Sequence, residues 1–524
     1  MSPQESFTPV DSFEDRLTGA LLEIAAKDER LRHYEDEVTR LREIIAKFKR
    51  ELFGSRRERW VSEEQLVMLF NEAEVEATKP EPEEDADLGE TTVEAHKRKR
   101  GKRKPLPEHL PREVVVIDLQ DSEKMDANGQ PITLRVVGKE VSEKLEYQPA
   151  SMKVLEIHRL KYEAVSPETG ESTIITAKPE PTIVPKGIVT PSLLAGITVN
   201  KYADGLPLYR QEEIFARLGI SLPRSSQGRW IIEAYRQCQP IWNVLEDRLM
   251  RSLYVACDET WTQVLKEKGR KAESDSWMWL RATPSDKEKI VLFDYDPHRS
   301  GAVAQRLFAE YRGTLQVDGY GAYNILEKQE GLIRIGCNMH GRRKYSDAHT
   351  VGAKQGQSLA EVALKFYKDL YDLEERAKEL SWEERHELRQ KEAAPIWVKF
   401  KAWAETNHRK VPPKSKIGDA FHYFLNEYDY LIGYLRDGRL EMDNGFAERA
   451  IKYFAIGRNN WLFSDTEAGA EASSLFYSFV VTAKLNGVNP LHALTRIFEE
   501  VPKAKTIEDY ERLADLLVTR PPPS

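Results

Sequence analysis

Apolar residues recur every seven positions along the first part of the chain, as Leu17, Ile24, Leu31, Val38, Ile45 and Leu52. Ala20, Tyr34, Leu41 and Phe48 follow members of that series by three. This is the a/d seam of a coiled coil, interrupted by Lys27 in the d series, with charged residues on the other faces. The alternative is one long amphipathic helix packed on its own protein; the seam favours self-association into a homo-oligomer. Gly54 ends the pattern, and a shorter helix is expected over about 62–74, closing an N-terminal region of residues 1–75. Residues 76–108 combine proline and charge with almost no large apolar residues and read as a linker. From 109 to 185, β-branched runs (VVVID, ITLRVV, MKVLEIHRLKYEAV, STIITA) alternate with turn residues such as Asn128-Gly129, predicting a small β domain. The pattern turns helical over 186–250. There RQEEIFARLGISLPRSSQGRW gives a helix ending at Gly219, Ile220 inserted into a core, a short turn, and a second helix carrying Arg224, Gln227 and Arg229. Those are the proportions of a helix-turn-helix, and equally of an ordinary helical hairpin.

Composition changes this picture in three places. Hydrophobic residues make up 40% of the 524 positions, which excludes a wholly disordered chain. No apolar run reaches the roughly 20 residues that span a bilayer, and the first residues lack a signal-peptide pattern, so no membrane contact and a cytoplasmic location are expected. The formal charge of −8 argues against a general nucleic-acid binder, yet it averages over an acidic stretch, Glu72–Glu90, and a basic run. That run is Lys97, Arg98, Lys99, Arg100, Lys102, Arg103 and Lys104, and it is a candidate phosphate-contacting segment.

The segment 251–500 carries the chemistry. Apolar runs at Leu253–Cys257, Trp277–Arg281 and Ile290–Phe293 predict three strands. A helix over Ala302–Tyr311, a strand at Leu315–Val317, a second helix and a strand at Ile333–Cys337 follow. The order β-β-β-α-β-α-β is that of a ribonuclease-H-like fold, which holds one metal-binding carboxylate on its first strand, one after its fourth and one on a later helix. Asp258 and Asp318 fall at the first two positions. A helical insertion at about 339–436 delays the third, Glu448, which shares a helix face with Lys452. Three such carboxylates would hold two Mg²⁺ ions, with Mn²⁺ as a substitute, one activating the attacking oxygen and one stabilising the leaving oxygen of a phosphodiester. Singly each acid also has a plain explanation as a strand-end cap, a turn residue or a solvated helix charge. Glu259, next to Asp258, is expected to point to the opposite side of the strand. Residues 501–524 read as a C-terminal tail.

The motifs DETWTQVL, VDGYGAYN, GCNMHGRRKYSD and AERAIKYFAIGRNNWLFSDTEAGAEASSLFYSFVVTAKLNGVNP, with LFGSRRERW near the N-terminus, resemble the transposases of the Insertion Sequence 66 family, of the DDE class. The resemblance covers nearly the whole chain. It implies that Asp258, Asp318 and Glu448 are the metal-binding triad and that the substrate is double-stranded DNA, both the ends of a mobile element and its target. Small companion proteins of the element are possible partners. The family's β domain usually carries two Cys-x-x-Cys pairs; here those positions read EKMDANGQP and YEAVSPETGE, so no zinc is expected in that domain. Cys337 and His340 match a Cys-x-x-His-x-Arg-Arg pattern of the family, and with only two local ligands a structural role is expected of them. Arg342, Arg343 and Lys344 follow as candidate phosphate contacts, and Arg458, Asn459, Asn460 and Trp461 combine a cation, two amides and a ring suited to holding a DNA end. The expected activity is cleavage at element ends and joining of the freed 3′ hydroxyl to target DNA. A nuclease that hydrolyses without joining, and a dead core serving a coiled-coil DNA-binding protein, are the alternatives.

Overall fold

The computed structural model describes residues 152–165, 172–352 and 358–520. The expected coiled coil, the linker with its basic run, and the β domain up to residue 151 lie outside them. Of that β domain the described part is a hairpin of β1 (Lys161–Val165) and β2 (Ser172–Thr176), antiparallel with Glu163 opposite Ile174. The strand expected from Met152 onward is regular only from Lys161; Val154 and Ile157 before it are exposed.

Three helices precede the sheet: α1 (Pro191–Tyr202), α2 (Leu208–Arg217) and α3 (Arg224–Met250). The turn after α2 uses Gly219 at φ +78°, a left-handed conformation that a side chain would strain. The second helix of the expected helix-turn-helix is thus the opening of a 27-residue helix. Its inner face, with Trp230, Ile231, Ala234, Cys238, Ile241, Leu245 and Leu249, belongs to the same hydrophobic core as the sheet. The region 186–250, read from sequence as a separate DNA-binding part, therefore shares a core with the catalytic segment, because apolar residues continue at helical spacing to Leu249.

The sheet has the order β5-β4-β3-β6-β7. Its strands are β3 (Tyr254–Lys266), β4 (Asp275–Ala282), β5 (Val291–Asp296), β6 (Gly313–Gln316) and β7 (Leu332–Ile335). The first three are antiparallel neighbours, and β6 and β7 run parallel to β3. Between β5 and β6 lies α4 (Gly301–Leu307), shorter than expected; the helix expected between β6 and β7 is a 3-10 helix, Gly321–Lys328. β3 extends well beyond the expected Cys257, because its alternating stretch DETWTQV buries every second residue against the body of the protein.

Among the described residues five α-helices form the insertion: α5 (Asn338–Gly352), α6 (Leu359–Arg376), α7 (Trp382–Leu388), α8 (Ala394–Asn407) and α9 (Lys416–Leu431). They have an aromatic core of their own around Tyr345, Tyr367, Trp397, Phe400 and Phe424. Asn338 fastens this body to the sheet end, donating to Leu431 O and Met442 O, both at 2.9 Å. Then come α10 (Gly445–Trp461), β8 (Ser464–Thr466), α11 (Glu467–Leu485), α12 (Pro490–Glu500) and α13 (Ile507–Val518). The expected C-terminal tail is in fact helical over α13, with Leu513, Ala514, Leu517 and Val518 buried. No helix among the described residues is long and apolar enough to cross a membrane.

Two features fix this sheet. β5 is an edge strand, and α11 covers its free backbone groups: Ser478 Oγ accepts from Phe293 N at 2.8 Å, and Thr482 Oγ1 accepts from Val291 N at 3.0 Å. Two hydroxyls of this helix thereby block further strand addition. Arg281 on β4, fully buried, pairs with Asp294 on β5 at 3.0 Å and Glu246 on α3 at 2.6 Å, and donates to Leu307 O at 3.1 Å. Removing one partner of such a buried pair costs about 3–5 kcal/mol.

Candidate active site

The site lies where β3 loses a neighbour. β6 pairs with β3 only as far as Ala256, opposite Gln316, and β8 takes up the same side of β3 only from Val264. Between those points β3 keeps β4 on one side but, among the described residues, has no strand on the other, and α10 packs there. Asn444, at the helix start, donates from Nδ2 to Cys257 O at 2.8 Å. Near the helix end Arg458 donates to Trp261 O and, at 3.1 Å, to Thr260 Oγ1, with its guanidinium 4.1 Å from the centroid of the Trp261 ring. A helix pinned to one strand at both ends carries Glu448 in its first turn. A carboxylate is also favoured there by the helix dipole.

Asp258 sits on β3 two residues past the last β6 pair, and its Oδ1 accepts from Glu259 N at 3.0 Å. Asp318 follows β6 directly after Val317; its Oδ1 accepts from Tyr320 N at 2.9 Å, an aspartate turn that fixes the loop. Gly319 beside it is needed for space, since a Cβ there would come within 2.6 Å of the Tyr423 ring. Burial, and then the charges of Glu259, Glu448 and Asp318, push the Asp258 carboxyl well above its ordinary range. The sequence-predicted triad is thus brought within electrostatic reach, with more negative charge than the surrounding side chains offset. Oxygen donors alone are what a hard divalent cation such as Mg²⁺ takes, although among the described residues the three carboxylates do not form a set with all ligand atoms within 4.8 Å of one another.

Glu259 is turned into a different set of contacts, accepting from Arg299 Nη2 at 2.6 Å and from the Tyr323 hydroxyl. Burial and the charge of Asp318 raise its carboxyl, and Arg299 opposes them. Arg299 stacks 3.9 Å from the Tyr320 ring and so ties the Glu259 side to the Asp318 loop. Sequence reasoning passed over Arg299 because nothing local to YDPHRS announces a partner on β3. His340 was read only as structural; in the fold its Nδ1 lies 3.7 Å from Glu448 Oε1, and Arg343 Nη2 lies 4.0 Å from Glu448 Oε2.

The candidate DNA contacts divide. Arg224, Arg229, Arg342, Lys452, Asn459 and Asn460 are exposed. Lys344 lies 5.1 Å from the Tyr423 ring. Gln227 is fully buried and donates to Leu222 O at 2.8 Å, closing the turn before α3 instead of facing outward. Arg458 is 2% exposed and serves β3, so the internal pin replaces the DNA contact expected of it. Asn460 donates to Gly205 O at 2.9 Å, and the Trp461 ring carries Lys201 Nζ at 3.6 Å. Lys97–Lys104 lies outside the described residues.

Residues 186–472 match the family described as "Transposase IS66 family". The chain belongs to that family. Residues 40–115 match a second family, described as "Transposase C of IS166 homeodomain". Three relatives from Sinorhizobium fredii (strain NBRC 101917 / NGR234) bear the name "Uncharacterized protein". The one designated y4qI is 30% identical over 516 residues, covering 95% of this chain and 93% of its own. y4jD is 30% identical over 412 residues, covering 76% and 79%, and y4hP 27% over 489 residues, covering 87% of each. Membership in this family supports a transposase role, with DNA as the partner such a role requires.

The crowding of carboxylates leads to a stability prediction. In the metal-free chain at pH 8, Asp258→Asn should raise Tm by about 2–4 °C, since a neutral side chain removes repulsion from the pocket. Millimolar Mg²⁺ should raise Tm of the native chain and leave the variant nearly unmoved. A variant that melts below the native chain without metal, or an equal Mg²⁺ response in both, contradicts the pocket as drawn.

Proposed function

We propose that the protein is a DNA transposase that cuts a phosphodiester at the end of an insertion sequence and joins the freed 3′ hydroxyl to target DNA. What supports this reading is that the charges of Glu448 and Asp318, from distant parts of the chain, act on the carboxyl of Asp258. The strand order β5-β4-β3-β6-β7, with three antiparallel strands followed by two parallel ones, supports a ribonuclease-H-like core. A divalent cation held by the three carboxylates, Mg²⁺ or Mn²⁺, would supply Lewis-acid stabilisation of the oxygens at the reacting phosphate.

In the first step a water oxygen attacks the phosphorus, the bond to the 3′ oxygen breaks, and that oxygen leaves with a proton as the 3′ hydroxyl. In the second the hydroxyl oxygen attacks a target phosphorus, and the target's own 3′ oxygen departs. The chain's part in both is positioning and charge. Asn444 and Arg458 hold α10 on β3, and Arg299 keeps Glu259 out of the carboxylate set. The exposed cations Arg342 and Lys452, on the two helices that flank His340 and Glu448, are placed to meet the phosphate backbone. Self-association through residues 1–75 would bring two element ends together.

Two predictions follow from this reading. Asp258→Asn, Asp318→Asn and Glu448→Gln should each lower cleavage and joining of end DNA by about a thousandfold or more, with gel-shift affinity for the ends kept. Glu259→Gln should retain measurable activity. Hydrolysis with no joined product in the native chain would favour the nuclease alternative, and full activity of the Glu448 variant would remove it from the set. Separately, neutralising Lys97–Lys104 should weaken binding to all DNA sequences and flatten its salt dependence, whereas changing Arg224 and Arg229 should chiefly reduce discrimination for the ends. An unchanged salt slope after the first change sinks that assignment.

A further inference from the structure

Glu448 faces two chemically different neighbourhoods. Its carboxylate contributes to the charge around Asp258, while its Oε1 lies 3.8 Å from Cys337 Sγ and 3.7 Å from His340 Nδ1. One ligand atom from each of Cys337, His340 and Glu448 falls within 4.8 Å of the others. A tetrahedral zinc with bonds of about 2.0–2.3 Å sets its ligand atoms about 3.3–3.7 Å apart, so side-chain shifts of about an ångström or less close the set. We propose that Cys337, His340 and Glu448 form a binding site for one zinc-like cation, and that filling it draws Glu448 away from Asp258 and Asp318.

Three further observations point the same way. His340 Nδ1 is buried without a hydrogen-bond partner among the described residues, an orphaned ring nitrogen that a metal would satisfy. Cys337 Sγ accepts the backbone N–H of Asn444 at 3.2 Å, which fixes the sulfur beside Glu448 at the start of α10. Its own proton is directed at Glu448 Oε1, and a bound cation would replace that proton, which leaves to solvent. Local geometry builds the set: Cys337 immediately precedes α5 and His340 lies in its first turn, so both face the start of α10.

The two sites differ in hardness. Thiolate and imidazole select zinc over Mg²⁺, whereas the Asp258 side offers oxygen alone. A thiolate and a carboxylate also neutralise a dication, with Arg343 left to face the other oxygen of Glu448 at 4.0 Å. One carboxylate shared between a soft and a hard cation makes zinc an inhibitor of the reaction proposed above; this consequence rests on that reading, and the cation site itself does not.

The test titrates the full-length, metal-free chain with Co²⁺, whose thiolate charge-transfer absorption reports a cysteine ligand. One equivalent should produce that band together with the intense visible bands of a tetrahedral ion. Cys337→Ser should abolish the charge-transfer band, and His340→Gln should weaken Co²⁺ binding by about tenfold or more. Cys238→Ser and His158→Gln should leave both unchanged, which separates this site from the Cys238 thiol and from the β domain. Thermal melting checks that each variant is folded, and His340→Gln carries the test if Cys337→Ser is not. No charge-transfer band in the native chain, or a band that survives Cys337→Ser, overturns the site. In a second arm, Zn²⁺ should inhibit DNA cleavage at fixed Mg²⁺, with a half-inhibiting concentration about tenfold or more higher for His340→Gln. Zinc-insensitive cleavage beside an intact cobalt band refutes the sharing of Glu448. An intact cobalt band in a chain that never cleaves DNA counts against the catalytic reading and supports the cation site.

Discussion

The structure depends on how it closes a tear in its own sheet. β6 stops accompanying β3 at Ala256, and the backbone groups of β3 beyond that point must find other partners or stand unpaired at a cost of about 1–3 kcal/mol each. The helix that crosses the tear supplies them, with Asn444 on Cys257 O and Arg458 on Trp261 O. Because the same helix carries Glu448, the requirement to satisfy β3 also sets where the third carboxylate stands. Stability and chemistry are thereby joined: the polar groups that make the strand tolerable inside the protein also aim the site.

The charge in the pocket is the counterpart of that arrangement. Asp258 is held among carboxylates that a stability-driven sequence would avoid, and its carboxyl is pushed up by burial and by those neighbours. By contrast, Glu259 is paired with Arg299, Asp294 with Arg281, and Glu374 with Arg385 and Arg389. The buried acids Asp294 and Glu374 are thus given arginines, whereas the charges acting on Asp258 come from other carboxylates. The insertion contributes by position, since Tyr423 packs over Gly319 and Asn338 ties its far end to the residues just before α10.

Much of this was legible in the chain itself. Strands rich in aliphatic residues announced themselves, and the acids at 258 and 318 stood on the first strand and just after the fourth, with 448 delayed by the helical insertion. What the sequence hid is of one kind: partners that only tertiary structure supplies. Arg458 beside two asparagines and a tryptophan looks like a solvent-facing DNA contact, and only the tear in the sheet explains its burial. Gln227 looks like a base reader until Leu222 O turns up beside it. α13 was missed because its apolar residues, Leu513 to Val518, follow a charged first turn. Cys337 and His340 gave two ligands at local spacing, and the third arrives from a helix beyond the whole insertion.

The claim that three chain-distant carboxylates form one cation site is tested most directly by replacing Mg²⁺ with Fe²⁺ and generating hydroxyl radicals with ascorbate, which cut the polypeptide next to the bound metal. Mapping the fragments should give scission close to residues 258, 318 and 448 together, suppressed by excess Mg²⁺ and lost at all three in Asp258→Asn. Scission confined to one of these places, or a pattern unaltered by that substitution, would contradict the account.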